Sequence, residues 1–240
     1  MYFINVMNNV FNNNYLKYQK DKYHHFESIE GVFYNRNHKY RSCSTNSFAI
    51  DTERLNDDFR ITRFIRDPRD LIISGYFYHK RGAEPWFRMK RPSNKYWSPI
   101  NGNLPQGMLD KPDYSYAEYL SSLDLEEGLL AEMEFRKFHF ESMRLWKEDS
   151  RIRIFKYENI IFNEEEEEVF NQIAEHLELS SREKRRVKKY AEKFSLKNQG
   201  KNKHVKNPKS NQWKENFTDK VTEVFNKNYG DLLDLYDYTP

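Results

Sequence analysis

A short run of basic, acidic and hydroxyl side chains between positions 63 and 79 is the segment of this chain best suited to binding chemistry. It reads RFIRDPRDLIISGYFYH, and an apolar strand pattern at 60–65 runs directly into a helical pattern at 67–80. Arg66 stands at the junction, and Ser74 lies about two turns along the helix. A guanidinium and a hydroxyl suit the oxygens of a phosphate. We therefore expect Arg66 and Ser74 to bind a phosphate from two sides.

The start of the predicted helix is also suited to an anion. Asp67 is a good N-cap, and Pro68 takes the first helical position, where its missing N–H costs nothing. Free backbone N–H groups and the positive end of the helix dipole attract negative charge there. The same residues are typical of an ordinary capped strand–turn–helix, so this segment by itself leaves both interpretations open.

The segment resembles the 3′-phosphate-binding signature of the sulfotransferases that use PAPS (3′-phosphoadenosine-5′-phosphosulfate). In that family an Arg ends a strand, a Pro-Arg/Lys-Asp turn follows, and a Ser comes further along the helix. Here Arg66, the residues 68–70 and Ser74 stand in that order. The resemblance implies that Arg66 and Ser74 bind the 3′-phosphate of PAPS or of its product PAP (3′-phosphoadenosine-5′-phosphate).

A second match is the stretch RIFKYENI at 153–160, which is similar to the family's strand ending in Tyr-Glu-Asp-Leu. In relatives this Tyr lies by the adenine of the nucleotide. The resemblance implies the same place for Tyr157. A Tyr that is simply buried at a strand end accounts for the residue equally well, so both interpretations stay open.

A third match runs from His204 to Thr218 and resembles the family's C-terminal loop, in which a basic pair and two Gly precede Trp-Lys and a helix start. The resemblance implies that Lys206 helps to hold the 3′-phosphate, where an Arg is usual. It also implies that Trp213 and Lys214 belong to the cofactor-binding loop. The alternative interpretation is a solvated tract of Lys and Asn before a capped helix.

This third segment departs from the family at three positions. Pro208 and Asn211 replace both Gly, and Lys206 replaces the Arg. Proline has no N–H to donate to a phosphate, and lysine lacks the bidentate fork of arginine. We expect fewer contacts to the phosphate than the family pattern provides.

The family's N-terminal phosphate loop, with its Lys and Gly-Thr/Ser residues, has no counterpart in this sequence. Segment 41–45 has a faint likeness but lies too near Arg66, whereas the helical pattern at 1–18 stands where the helix after that loop belongs. We expect the chain to begin just inside or just after the loop, through a misassigned start or a true loss. Residues 1–240 are then one N-terminally truncated sulfotransferase-like domain.

Sulfuryl transfer to a hydroxyl also needs a base for the hydroxyl proton, and it needs no metal. Some relatives use a His near the end of the strand that precedes the signature strand. The corresponding stretch, 39–45, has no His, but His38 is adjacent and is our candidate base. The upstream residues that stay open as alternatives, each also typical of a surface, are His24, His25, Glu27 and Glu30.

Helical and strand patterns interleave around these motifs. They predict an α/β fold of three layers, with a mostly parallel central sheet flanked by helices, and the resemblance implies the P-loop NTPase-like sulfotransferase fold. The segment 81–112 carries five Pro together with Trp86, Tyr96 and Trp97. It is either a lid on the acceptor side or a packed structural loop.

Composition excludes several classes of protein. No apolar run approaches the roughly 20 residues that span a bilayer, and the single cysteine, Cys43, excludes an intrachain disulfide and a Cys-rich metal site. We expect a cytoplasmic protein without a membrane partner or a metal.

Charge is concentrated in one part of the chain. Residues 182–214 carry 13 Lys or Arg against two Glu, a net +11 in a chain whose total is +3. Such a run is typical of a solvated helix face or a nucleic-acid patch, and it can also line the entrance for a polyanionic cofactor. No zinc-finger, RNA-recognition or helix-turn-helix pattern favours nucleic acid.

We interpret the chain as a PAPS-dependent sulfotransferase that acts on a hydroxyl of a carbohydrate or small molecule. One alternative is a non-catalytic, PAP-binding remnant of that family, which the missing loop favours. Another is a nucleic-acid-binding protein that uses residues 182–214. The sequence does not determine the acceptor or the oligomeric state.

Overall fold

A computed structural model describes residues 2–11, 23–26, 34, 41–45, 50–55, 58–97, 102–161, 166–195 and 210–239 of the chain. The chain divides into two compact units. The sheet unit comprises Met1–Ile65 and Lys147–Pro208, and the helical unit comprises Arg66–Trp146 and Lys209–Pro240.

The described strands are short, and helices dominate. The strands are β1 (Tyr23–Phe26), β2 (Ser42–Thr45), β3 (Ile61–Ile65) and β4 (Ile152–Lys156). The helices are α1 (Tyr2–Phe11), α2 (Pro68–Lys80), α3 (Asn94–Trp97), α4 (Tyr116–Ser121), α5 (Leu125–Phe135), α6 (Lys137–Arg144), α7 (Tyr157–Ile161), α8 (Glu166–His176), α9 (Ser181–Phe194), α10 (Trp213–Asn216), α11 (Asp219–Tyr229) and α12 (Asp231–Leu235). Single 3₁₀ turns occupy Thr52–Arg54, Pro85–Arg88 and Gln106–Met108.

All strand pairs described in the sheet unit are parallel. β1 pairs with β2, with Tyr23 opposite Ser42, and β3 pairs with β4, with Ile61 opposite Ile152. Parallel neighbours need a crossover connection rather than a tight hairpin, which agrees with the helices that lie between β3 and β4 in the chain. The predicted α/β class with parallel pairing is confirmed, although the described pairs have only two strands each.

The core of the sheet unit forms where α1, α8 and α9 bury their apolar faces in one cluster. In α1 the buried positions Val6, Met7 and Val10 recur at helical spacing, and in α8 Phe170 and Ile173 are buried in the same cluster. Phe155 of β4 joins them, so the sheet and the helices share one core. The predicted N-terminal helix is confirmed for Tyr2–Phe11, and residues 12–18 lie outside the described part.

The helical unit is built around α2 and an aromatic cluster. Trp97, Tyr116 and Phe135 pack with ring centroids 5.0 to 5.3 Å apart. Trp97 is 1% exposed, so it belongs to the packed core of this unit, whereas Trp86 is 39% exposed. Within the segment 81–112, the packed-loop interpretation therefore holds for Trp97.

Candidate functional site

Arg66 and Ser74 lie side by side in the helical unit. Arg66 Nη1 donates a hydrogen bond to Ser74 Oγ at 3.0 Å, and both residues are half-buried. Ser74 comes seven residues after the N-cap, about two full turns of helix, and so returns to the side of α2 where the chain enters. A cationic fork and a hydroxyl therefore share one edge of the helix, although their role as phosphate ligands stays a prediction.

Asp67 caps α2 as its type and position predict. Its carboxylate accepts the backbone N–H of Arg69 at 2.9 Å, and the Arg69 guanidinium donates to both carboxylate oxygens, at 3.0 and 2.8 Å. Both groups are buried. One of the backbone donors expected to attract an anion at the helix start, the N–H of Arg69, is thus already used.

Asp70 joins the first motif to the C-terminal one. Its carboxylate is fully buried and accepts the backbone N–H groups of Asn211 at 2.8 Å and Trp213 at 3.1 Å. Burial raises the pKa of Asp70, while the Trp213 N–H and the nearby Arg66 charge oppose that rise. Two segments about 140 residues apart are therefore held together by one carboxylate within the helical unit.

Trp213 packs against the same helix through its ring. The Arg69 guanidinium lies 3.7 Å from the ring centroid, and it also donates to the backbone oxygen of Thr239 at 2.6 Å. The indole Nε1 of Trp213 is buried and has no hydrogen-bond partner among the residues that the structure describes. Lys214 is exposed, with its Nζ 5.5 Å from the Trp213 ring. Trp213 thus anchors its segment to α2, and Lys214 faces solvent.

Asn211 explains how this segment tolerates the loss of a family glycine. Its φ angle is +59°, in the left-handed region that favours glycine. Asn enters this region more readily than most other residues because its short side chain bonds locally. The turn that places the two N–H groups on Asp70 is therefore kept. The other predicted positions in this loop, Lys206 and Pro208, lie outside the described residues, as does His38.

Tyr157 belongs to the sheet unit. β4 ends at Lys156, and Tyr157 begins the short helix α7 instead of ending the strand. Its side chain is half-buried. The predicted strand was one residue too long here, and the role of Tyr157 beside adenine stays a prediction.

The sheet unit also holds a hydrogen-bonded trio around His25, which the sequence indicated as an alternative base but without its partners. Ser44 Oγ lies 2.8 Å from His25 Nδ1 and 2.7 Å from the Tyr23 hydroxyl. His25 and Ser44 are directly opposite each other in the β1–β2 register, which no local pattern reveals. Burial raises the pKa of the adjacent Cys43 thiol to about 11, which favours its protonated form at neutral pH.

A second missed group lies further along α2. The fully buried carboxylate of Glu132 receives three side chains: His79 Nδ1 at 2.7 Å, the Tyr116 hydroxyl at 3.0 Å and Arg136 Nε at 2.7 Å. Burial lowers the pKa of His79 and, with the Glu132 charge, raises that of Tyr116. The cluster links α2, α4 and α5.

Within the described ranges, no group of three or more His, Cys, Asp or Glu is placed to hold a metal ion. No described helix is long and apolar enough to cross a bilayer.

The chain matches a family model described as "Sulfotransferase domain" over residues 12–237, which include most of both units and all three motifs. A search of the curated proteins and a search of the solved structures each found no significant match.

Proposed function

Because the chain belongs to the sulfotransferase domain family, we propose that it transfers a sulfuryl group from PAPS to a hydroxyl of a carbohydrate or small-molecule acceptor. Arg66 and Ser74 hold the 3′-phosphate of the nucleotide in this proposal. The observation that supports it best is their pairing beside a segment, 211–213, that Asp70 fixes to the same helix.

The residues present fit a phosphate. Arg66 supplies a permanent positive charge and several N–H donors, and Ser74 supplies a hydroxyl that can rotate toward a new acceptor. Both are half-buried, so a phosphate there keeps a strong charge-assisted contact with only partial loss of hydration. The bound nucleotide supplies the sulfuryl group, while these side chains fix its position.

The remaining predicted positions have secondary roles in this proposal. Tyr157 lies by adenine, Lys206 adds charge at the 3′-phosphate, and Trp213 and Lys214 belong to the cofactor loop. Trp213 has a structural basis, since its ring packs on Arg69. His38 stays the predicted base, without a described position. The family model that matches 12–237 covers most of both units, which supports the proposal of one sulfotransferase domain. A cytoplasmic location stays a prediction.

Titration of the full chain with PAP tests the nucleotide site. At about 100 times its Kd, a ligand stabilises the folded state by about 2.7 kcal/mol, which a thermal melt detects easily. We expect Arg66→Ala to weaken PAP binding about 10- to 100-fold, because a hydrogen bond to a charged group contributes about 1.5–3 kcal/mol. Ser74→Ala should have a smaller effect.

Arg91→Ala is the matched control, since Arg91 is an exposed arginine of the same unit that pairs with Asp113 on the surface. Unchanged melting with PAP, or equal losses in Arg66→Ala and Arg91→Ala, would contradict the site. PAP binding without transfer to any hydroxyl acceptor would favour the non-catalytic alternative.

A further inference from the structure

Helix α9 of the sheet unit carries seven basic residues, and the structure separates them into two groups. Lys188 lies 2.5 Å from Glu167, Lys184 lies 3.9 Å from Glu175, and Arg186 donates to the backbone oxygen of Asn9. Lys184 and Lys188 thus form ion pairs with carboxylates of α8, and Arg186 is hydrogen-bonded to α1. We call these three residues the matched side. The other four are Arg182, Arg185, Lys189 and Lys193, which we call the basic stripe.

The basic stripe is exposed and has no carboxylate at ion-pair distance among the described residues. Its members follow one another at intervals of three, four and four residues, so they line one face of α9. Glu183 and Glu192 both adjoin the stripe in sequence. Glu183 pairs with Arg41 and belongs to the capping box of α9, and the charge of Glu192 acts on Lys188. Lys189 lies 5.8 Å from the ring centroid of Tyr190, and Lys193 lies 5.4 Å from that of Phe194, the next residue in each case.

This arrangement opposes the stability of the helix. Like charges at i,i+3 and i,i+4 repel one another, and Arg182 lies in the first turn, where the helix dipole disfavours positive charge. The chain outside 182–214 carries a net −8, and acidic residues do neutralise the other side of α9. The basic stripe stays positively charged although the rest of the chain is acidic. Such a surface is suited to an anionic partner whose negative charge would neutralise the stripe.

The buried apolar face and the residue types of α9 argue against two classes of anionic partner, a membrane and a single-stranded nucleic acid. Val187, Tyr190 and Ala191, its apolar face, are buried in the core of the sheet unit, so the helix has no free apolar face for a membrane. The stripe has no exposed aromatic ring on which single-stranded bases stack. Arg and Lys in a row instead suit sulfate or carboxylate groups repeated along a polymer.

We propose that the basic stripe binds a linear anionic polysaccharide that carries carboxylate or sulfate groups. The choice of a polysaccharide rests on the proposed function, in which a carbohydrate hydroxyl is the acceptor. The stripe holds the polymer by charge at α9 and increases its local concentration at the protein surface.

Two double variants of the same helix test this proposal. K189Q/K193Q removes two lysines of the stripe, and K184Q/K188Q removes two lysines of the matched side with the same spacing and charge change. Binding of labelled polygalacturonate is measured against salt concentration without PAPS, with neutral dextran as the uncharged control. We expect K189Q/K193Q to weaken binding about tenfold at low salt and to lower the slope of log K against log salt by about 1 to 2.

K184Q/K188Q should bind nearly as the unmodified chain does. Equal losses in both variants would overturn the proposal, because net charge alone would then attract the polymer. Tighter binding of duplex DNA through the stripe, or self-association that only K189Q/K193Q abolishes, would overturn it in favour of nucleic acid or a second copy. Helix content from circular dichroism confirms folding. PAP titration separately tests the proposed function, so either can fail alone.

Discussion

The two ends of helix α2 differ in how deeply the polar side chains packed there are buried. At the N-terminal end, Arg66 and Ser74 are half-buried and share a hydrogen bond. Toward the C-terminal end, Glu132 packs on the helix fully buried, and both of its carboxylate oxygens are used by His79, Tyr116 and Arg136.

Exposure to water determines whether the polar groups at each end can bind a ligand. Half-buried donors can exchange a protein partner or water for a ligand at little cost, whereas breaking a buried, satisfied network leaves orphaned groups in low dielectric. Gly75, next to Ser74 in the middle of α2, shows how closely Glu132 packs on this helix, since a Cβ at Gly75 would clash with Glu132 Oε1. One end of α2 is thus suited to binding, and the other fixes the helix that presents Ser74.

Glu132→Ala should give the largest effect, at the closed end. It leaves Arg136 without its buried partner and removes the acceptor for His79 and Tyr116, so we expect a loss of about 3–5 kcal/mol of unfolding free energy. Urea unfolding measures it. Glu132→Gln, which keeps the volume and one acceptor, should cost less. A loss below about 1 kcal/mol for the Ala variant would show that the cluster does not hold the helix.

Asp70→Ala should weaken the link between the binding end and segment 211–213. Two backbone N–H groups lose their acceptor, so we expect a loss of about 1–3 kcal/mol in stability together with weaker PAP binding. Asp70→Asn keeps one acceptor oxygen and should fall between the two. If PAP affinity measured by calorimetry stays unchanged in the Ala variant, the segment is not part of the phosphate site.

Substitutions of Asn211 test whether the backbone conformation at this position is needed where segment 211–213 is bonded to Asp70. Asn211→Val should cost about 1–2 kcal/mol, because a β-branched residue is strained at a φ of +59°. Asn211→Gly should be close to neutral, since glycine enters this region freely. Thermal melts compare the two variants, and equal losses would mean that the side chain of Asn211, rather than its φ angle, matters.

Acid should destabilise the closed end first. Burial lowers the pKa of His79, so the unfolded chain takes up the proton more readily than the folded one, and stability falls as pH drops below the usual value of about 6.5. Glu132 favours the charged form and Arg136 opposes it, but burial dominates. We expect about 1 kcal/mol of loss between about pH 7 and pH 5.5. His79→Gln, which does not titrate, should show a flatter curve in the same unfolding experiment.

The sequence determined the local features of the binding end. Asp67 and Pro68 predict the start of α2 within one residue, because capping depends on neighbouring side chains alone. The helical period then predicts that Ser74 returns to the side of Arg66. The strand predicted at 60–65 is observed at Ile61–Ile65, whereas β4 ends at Lys156, one residue before Tyr157.

Only the tertiary structure decided the contacts between distant segments. The bonds from Asn211 and Trp213 to Asp70, the buried cluster around Glu132, and the pairing of His25 with Ser44 each join residues far apart in sequence. Such contacts depend on which helix faces pack together and on the register between parallel strands. No spacing within a single element encodes that register or that packing, so the sequence predicted the residues of the open end of α2 but not the network that holds the helix in place.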